Sequence, residues 1–351
     1  MAVTIRDVAS LAGVHISTVS RTFSAPHLVN PDTRRRVQEA ATRLRYQPNR
    51  AARGLITGRT YQLALVVADI ANPFFPPMIK AAQSEAARSD YAVLVADTDE
   101  SPAAEQRLAR ALARQVDGVV LASPRTSDRL IRQLAEDTRL VLINRAVAGI
   151  PAVLMDVAAG ARAATGHLLD LGHRELAYVA GPTASWVNTQ IRQAVAAACR
   201  ATGARFSVVG PNSPTIAGGG EAAPRLRETG ATAAVVFNDL VALGLLDGLA
   251  AAGVSVPGQL SLISYDDILA AAYATPPLST VAMPTRLAGQ LAVETLLRLI
   301  DGTTSTRPRT PGAMGDSAAP AVTRTTVPTE LILRGSTAPP AVRIRRAPAN
   351  H

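Results

Sequence analysis

TIRDVASLAGVHISTVSRTF, Thr4 to Phe23, sets the character of the chain's first domain. Two short helical patterns flank the turn Ala12-Gly13-Val14. Thr4 caps the first, and Asp7 three residues on reaches back to it, a capping box with Asp in place of the usual Glu. Ile5, Val8, Ala9 and Ala12 recur at helical spacing and face inward. Gly13 suits the turn, and beyond it Val14, Val19 and Phe23 fall on the buried side of a second helix. That leaves His15, Ile16, Ser17, Thr18, Ser20 and Arg21 on or near its exposed face. A helix-turn-helix whose second helix is small, hydrogen-bonding and singly basic has the surface that enters a DNA major groove. On these twenty residues alone an ordinary helical hairpin stays open as the other interpretation.

Charge bears on that choice. Residues 1–60 hold ten arginines against Asp7, Asp32 and Glu39, whereas residues 61–302 carry 19 basic and 22 acidic residues. A basic head on a mildly acidic body is the footprint of a nucleic-acid-binding domain joined to something that is not one. At 351 residues the chain exceeds one ordinary core, so two or three domains are expected. Aromatics make up only 3% of it, so the core must be built from Ala, Val and Leu. No apolar stretch is long and charge-free enough to span a bilayer, and no basic segment leads into an apolar one at the start. A cytoplasmic protein without a signal peptide or a membrane partner is expected. Cys199, the only cysteine, sits in VAAACR and reads as a buried small apolar residue.

Further along, Asn30-Pro31 gives a cap followed by proline at the first helical position. The helix that follows places Val37, Ala40, Ala41 and Leu44 on one face and ends at Tyr46 and Pro48. Three short helices over residues 1–47 share one small core and make a headpiece. Residues 48–59 are a linker, with Asn49 as a possible cap and Gly54 and Gly58 to weaken any helix. Such a segment is either a plain linker or a hinge that turns helical on DNA, being too short to hold a helix alone.

Residues 60–335 alternate short buried-strand patterns with helical stretches, in two blocks. LALVVADI (63–70), YAVLVAD (91–97), DGVVLAS (117–123) and LVLINR (140–145) form the first. ELAYVAG (175–181), FSVVG (206–210), AAVVFND (233–239) and LSLISYDD (260–267) form the second. The pattern predicts two parallel sheets with helices on both faces, which bind ligands at the carboxyl ends of their strands. Those ends carry Asp69 to Phe75, Ser123, Asn144-Arg145, Asn238-Asp239 and Asp266-Asp267. Each of these polar groups can equally be a helix cap. Residues 303–323, rich in Pro, Thr, Ala and Gly, read as a mobile insertion, and 336–351 as a disordered basic tail.

TIRDVASLAGVHISTVSR, YQPNRAARGL, VVADIANPFF, LLDLGHRELAYVAGP, NDLVALGLLDGL and SYDDI together resemble the LacI/GalR family of bacterial transcription regulators. The resemblance implies an all-α helix-turn-helix headpiece followed by a two-lobed α/β core of the periplasmic-binding-protein kind. It implies a homodimer, or a higher oligomer, on a pseudo-palindromic operator, controlled by a small effector such as a sugar. The DNA-binding set carried over is Thr4, His15, Ile16, Ser17, Thr18, Ser20, Arg21, Asn30, Thr33, Tyr46, Asn49, Ala52 and Leu55. In it Ile16, Ser17 and Arg21 face base edges, and Leu55 is the wedge that kinks the minor groove. For the effector, Phe74 and Phe75 wall the pocket and Asn238 and Asp266 hydrogen-bond the ligand, with Ser123, Arg145, Ser185 and Trp186 as additions. Many members carry an arginine where this chain has Ile191. Arg192 is displaced from it by about 100° on a helix, so it is either recruited or the ligand lacks the group it would meet.

Gly218 to Ala223 fits G-x-G-x-x-A by letter but follows a Pro-rich loop rather than a strand. Lys80, the sole lysine, has no phosphate loop before it, and the five histidines lack metal-ligand spacing. No cofactor, no metal and no catalytic constellation are expected. Asp266 and Asp267, adjacent on a strand, point to opposite faces and make no acid–base pair. A two-lobed sugar-binding protein or a sugar-modifying enzyme is the rival class, the first needing an export signal and the second a catalytic set.

Overall fold

The computed structural model describes residues 3–24, 28–46, 57–302 and 324–341. In the headpiece, α1 (Ile5–Ala12), α2 (Ile16–Ser24) and α3 (Pro31–Leu44) enclose Val8, Ala9, Ala12, Val19, Val37, Ala40 and Ala41. Ile5, Val14, Phe23, Leu44 and Tyr46 close over this cluster. The capping box forms: the Asp7 carboxylate accepts from the Thr4 backbone N–H (2.7 Å) and hydroxyl (2.8 Å). Those two bonds, the backbone one first, hold the Asp7 acid below the usual carboxylate range. Gly13 ends α1 at φ +65°, a left-handed position that glycine takes without strain. Asn30 caps α3 through the Asp32 N–H (2.9 Å), ahead of Pro31.

The core opens with β1 (Gln62–Val67), α4 (Phe75–Ala87), β2 (Ala92–Asp97), α5 (Pro102–Ala113), β3 (Gly118–Ala122), α6 (Asp128–Asp137), β4 (Leu140–Ile143) and β5 (Ala152–Met155). It continues with α7 (Val157–Asp170), β6 (Glu175–Val179), α8 (Trp186–Thr202), β7 (Arg205–Val209), α9 (Ile216–Glu228), β8 (Ala233–Val236), α10 (Asp239–Ala251), β9 (Ser261–Asp266), α11 (Leu269–Tyr273) and β10 (Ser279–Ala282). Last come α12 (Thr285–Gly302), β11 (Arg324–Val327) and β12 (Glu330–Ile332). The strands form two six-stranded sheets, β11-β5-β4-β3-β1-β2 and β12-β10-β9-β8-β6-β7. Every pairing is parallel except β10 with β12. Each sheet is the floor of a lobe. Buried runs such as LALVV in β1 and AAVV in β8 are what a strand covered on both faces requires.

The chain crosses between lobes three times: after β5, between β10 and α12, and between β11 and β12. Two crossings are tied together, since the Asp156 N–H donates to the Val327 carbonyl (2.8 Å) and the Thr329 hydroxyl to the Asp156 carbonyl (2.9 Å). In the second lobe α9 and α10 touch backbone to backbone. A Cβ on Gly244 would stand 1.8 Å from the Ile216 carbonyl oxygen, so only glycine permits this approach. Within the triplet Gly218-Gly219-Gly220 of α9, Gly219 shares this packing, since its Cβ would stand 2.1 Å from the Val241 carbonyl oxygen.

One expectation is corrected. Residues 336–341 are not a disordered tail but part of the second lobe. The Ser336 hydroxyl donates to the Leu262 carbonyl (2.6 Å) and accepts from the Ser279 N–H (2.8 Å). His173 clamps the next turn of chain: Nε2 donates to the Ala338 carbonyl (2.9 Å), so Nδ1 accepts from the Thr232 hydroxyl (2.8 Å). Burial lowers the His173 pKa, which suits this neutral structural role. Residues 342–351, the insertion 303–323 and most of the linker lie outside the described residues. Cys199 is buried, as expected. Among the described residues no helix is long and apolar enough to cross a membrane.

Candidate functional site

Between the lobes lies a narrow cleft lined by residues of both. Its lining comes from the carboxyl ends of parallel strands in both sheets, as this architecture dictates. The first lobe gives Asn72, Phe74 and Phe75 after β1, Glu100 after β2, Ser123 and Arg125 after β3, and Asn144 after β4. The second gives Val187, Pro214, Phe237, Asn238, Tyr265, Asp266 and Met283.

The cleft is strained where it is polar. Glu100 (φ +57°), Ser123 (+51°), Asn144 (+54°) and Asp266 (+110°) all sit at positive φ without being glycine. Such residues cost of order 1–3 kcal/mol each and gather at ligand clamps. Aromatic walls accompany them: the Phe74 and Phe75 rings meet edge to face, 4.9 Å apart at 87°. Phe237 packs where a Cβ on Gly181 would stand 2.4 Å from its ring.

The polar groups are pre-set by bonds within the protein. Asn238 caps α10, accepting from the Val241 N–H (2.9 Å), and its amide donates to the Pro214 carbonyl (3.2 Å). One amide hydrogen and one lone pair remain for a ligand. Asn144 accepts from the Met155 N–H (3.1 Å). Arg125 is gripped by Glu100, Nε to Oε2 (2.5 Å) and Nη2 to Oε1 (2.8 Å), while Nη1 donates to the Ser123 carbonyl (2.7 Å). Behind this pair the buried Glu105 accepts from the Arg125 (2.7 Å) and Thr126 (3.2 Å) N–H groups, and burial raises its pKa. Burial, helped by the Asp239 carboxylate, pushes the Asp266 acid well above the usual range. Asp239 is itself buried. It accepts from the Thr280 hydroxyl (2.8 Å), the Ile268 N–H (2.8 Å) and the Ser264 hydroxyl, yet burial still raises its pKa to about 6. Asp267 turns away and pairs with Arg334 (2.5 Å).

Of the expected effector residues, Phe74, Phe75, Ser123, Asn238 and Asp266 meet in this cleft. Arg145 does not line it, because its guanidinium pairs with Asp128 (2.7 Å). Ser185, only 1% exposed, caps α8 through the Asn188 N–H (3.2 Å), and Val187 rather than Trp186 reaches the lining. Ile191 is fully buried and Arg192 exposed, so Arg192 does not replace the missing arginine in the cleft. Asn72 and Asn144 stand at strand ends that the sequence pointed to, whereas Glu100, Arg125, Phe237 and Tyr265 were not anticipated.

The headpiece presents a different surface. Ile16 (37% exposed), Ser17 and Arg21 are exposed on α2, while Thr18 and Ser20 are half-buried. His15 caps this helix, its Nδ1 accepting from the Ser17 N–H (3.3 Å) and lying 2.9 Å from the Ser17 hydroxyl. Thr4 and Asn30 are exposed at the N-termini of α1 and α3, with Thr33 half-buried in the first turn of α3. Tyr46 is half-buried, its ring 6.1 Å from Phe23. Asn49, Ala52 and Leu55 lie outside the described residues.

Known proteins match both surfaces. Residues 4–49 match the model of bacterial regulatory proteins of the lacI family, and residues 165–337 that of a periplasmic binding protein-like domain. The transcriptional regulator GalS of Salmonella typhimurium is 34% identical over 316 residues, 86% of this chain and 91% of GalS. The chain belongs to the LacI/GalR family. Its members are regulators of transcription, so this LacI/GalR protein is a DNA-binding regulator and not an enzyme. The regulator DegA of Bacillus subtilis is 30% identical over 349 residues, covering 97% of this chain and 99% of DegA. Among solved structures, the lac repressor dimer bound to operator and the anti-inducer ONPF shares the fold, with a TM-score of 0.80 at 23% identity over 96% of this chain and all of that one. A complex of the regulator CelR with cellobiose gives 0.67 at 30% identity, over 95% and 99%.

Proposed function

We propose that this LacI/GalR regulator binds a pseudo-palindromic operator as a homodimer in the cytoplasm and changes its affinity when a small sugar enters the cleft. The observation that carries this reading is the cleft itself, where both lobes supply strand-end polar groups at strained positions beside aromatic walls. Aromatic faces with fixed amide and carboxyl groups suit a ring that carries hydroxyls. The CelR complex with cellobiose supports the same ligand class. A two-fold dimer is what a palindromic site requires. Exposed Leu269 (75%) and Tyr273 (81%) on α11 leave apolar surface for a second copy.

On DNA, Ile16, Ser17 and Arg21 read base edges. Arg21 suits a guanine bidentately, and Ile16, which cannot hydrogen-bond, seeks a thymine methyl. Helix N-termini at Thr4, His15, Asn30 and Thr33 and the headpiece arginines meet phosphates. Sugar binding alters this by favouring one arrangement of the lobes. A shift from 1:99 to 99:1 requires a preference of about 5.5 kcal/mol. The test is a gel shift with DNA upstream of the protein's own gene, with and without sugars chosen by a thermal-shift screen. A retarded band that one stabilising sugar strengthens or weakens is expected. If no stabilising sugar alters operator affinity, the effector reading fails.

A further inference from the structure

The cleft's charges go beyond naming a sugar class. Among the described residues its titratable lining is Glu100, Arg125 and Asp266, and burial holds Asp266 toward its uncharged form, which leaves one cation and one carboxylate. The cation is already neutralised. Its side chain is 5% exposed, its Nε–Nη2 edge rests on the two oxygens of the Glu100 carboxylate, and Nη1 donates to the Ser123 carbonyl. Three of the five guanidinium N–H groups are thus engaged, leaving two to meet a neutral oxygen. The Glu100 and Ser123 backbones, both at positive φ, hold the pair in this register at the ends of β2 and β3, which flank β1. A phosphate dianion placed here would face the Glu100 carboxylate in a site of reduced dielectric, where the one lining cation is already paired.

We propose that the Glu100–Arg125 pair is a charge filter: it makes the cleft accept uncharged polyhydroxyl ligands and reject phosphorylated sugars and free phosphate. The proposal rests on the cleft being the effector site. Arg125 supplies neutral-oxygen donors and Glu100 sets the sign of the field, so removing Glu100 alone converts the same arginine into an anion anchor.

Two arms test this on the full chain. In the first, inorganic phosphate is titrated calorimetrically into wild type, Arg125→Met, Glu100→Gln and Glu100→Gln/Arg125→Met, so that sites on the basic headpiece cancel in the comparison. Glu100→Gln should gain a phosphate site about tenfold or more tighter than any in wild type, and the double variant should lose it. Wild type already binding phosphate in a manner abolished by Arg125→Met would overturn the filter, as would no gain in a folded Glu100→Gln. The second arm needs no variant. Matched pairs, glucose with glucose 6-phosphate, galactose with galactose 1-phosphate and ribose with ribose 5-phosphate, are compared on wild type. The neutral member of any binding pair should be about a hundredfold the tighter, and a tighter phosphate ester overturns the proposal. A gained phosphate site in the first arm with no sugar binding in the second would uphold the filter and bring down the sugar reading instead.

Discussion

Replacing Asp239 with Asn isolates one carboxyl whose proton the folded core binds more tightly than the unfolded chain does. The acid lies at the start of α10 and takes hydrogen bonds from the Thr280 hydroxyl, the Ser264 hydroxyl and the Ile268 N–H, so it ties β8, β9 and β10 together beside Asp266. Burial is the larger influence and lifts its pKa from 3.8 to about 6 against those bonds. The folded chain therefore binds this proton more tightly than the unfolded chain does. The stabilisation is full below about pH 4 and is lost as pH rises through about 6. The shift corresponds to about 3 kcal/mol over the whole window, and to about 2 kcal/mol between pH 4.5 and pH 7.5. Asn keeps the shape: its oxygen can still accept from Ile268, and its amide can donate to the Thr280 and Ser264 hydroxyl oxygens, which turn to accept. The measurement is the melting midpoint of both proteins at the two pH values. At roughly 2 °C per kcal/mol for a core of this size, the variant should gain about 4 °C on wild type as pH rises from 4.5 to 7.5. The comparison removes the contributions of Glu105, His167 and His173, which both proteins share. An unchanged gap between variant and wild type would refute the assignment of the proton to Asp239.

Other outcomes follow from the same geometry. Arg21→Ala should lose about 1–3 kcal/mol of discrimination at one base pair per half-site, measured by gel shift on single-base operator variants; a uniform loss across sequences would make it a phosphate contact. Asp266→Ala should abolish the response to effector while leaving operator binding by the free protein intact, so a normal response removes Asp266 from the site. Gly244→Ala drives a methyl into the Ile216 carbonyl and should cost about 3 kcal/mol or more. Gly220→Ala, whose Cβ would lie 3.9 Å from the Gly244 carbonyl, should be neutral or slightly stabilising by the same thermal denaturation.

The headpiece was readable from Thr4 to Phe23 because its capping residues and inward positions are local, and every inward residue named from spacing packs in the observed cluster. Eight strands were likewise visible as buried runs. β5, β10, β11 and β12 were not, being three or four residues long and defined by partners far along the chain. Strand-end reasoning named Asn72, Ser123, Asn144, Asn238 and Asp266, all of which line the cleft, but stopped short of Glu100, three residues past β2, and Arg125, three past β3. These two are 25 residues apart and meet across the carboxyl end of β1, which pairs with β2 on one side and β3 on the other. Arg145 misled for the opposite reason, as it stands at a strand end but answers to Asp128. Ser185 resembled a ligand residue and is a cap, two roles that share one local pattern.

The strands β11 and β12 bear on how the molecule is made. Each finishes one sheet, and Ser336 then plugs between β9 and the turn before β10. On the ribosome, both lobes therefore remain incomplete until residues 324–338 have emerged, although most of each sheet is synthesised long before. Neither lobe reaches its final form before that segment is in place. A chain stopped short of that segment carries two unfinished sheets with open edges rather than one good lobe and one bad, so a half-made product invites strand-to-strand aggregation instead of acting as a partial regulator.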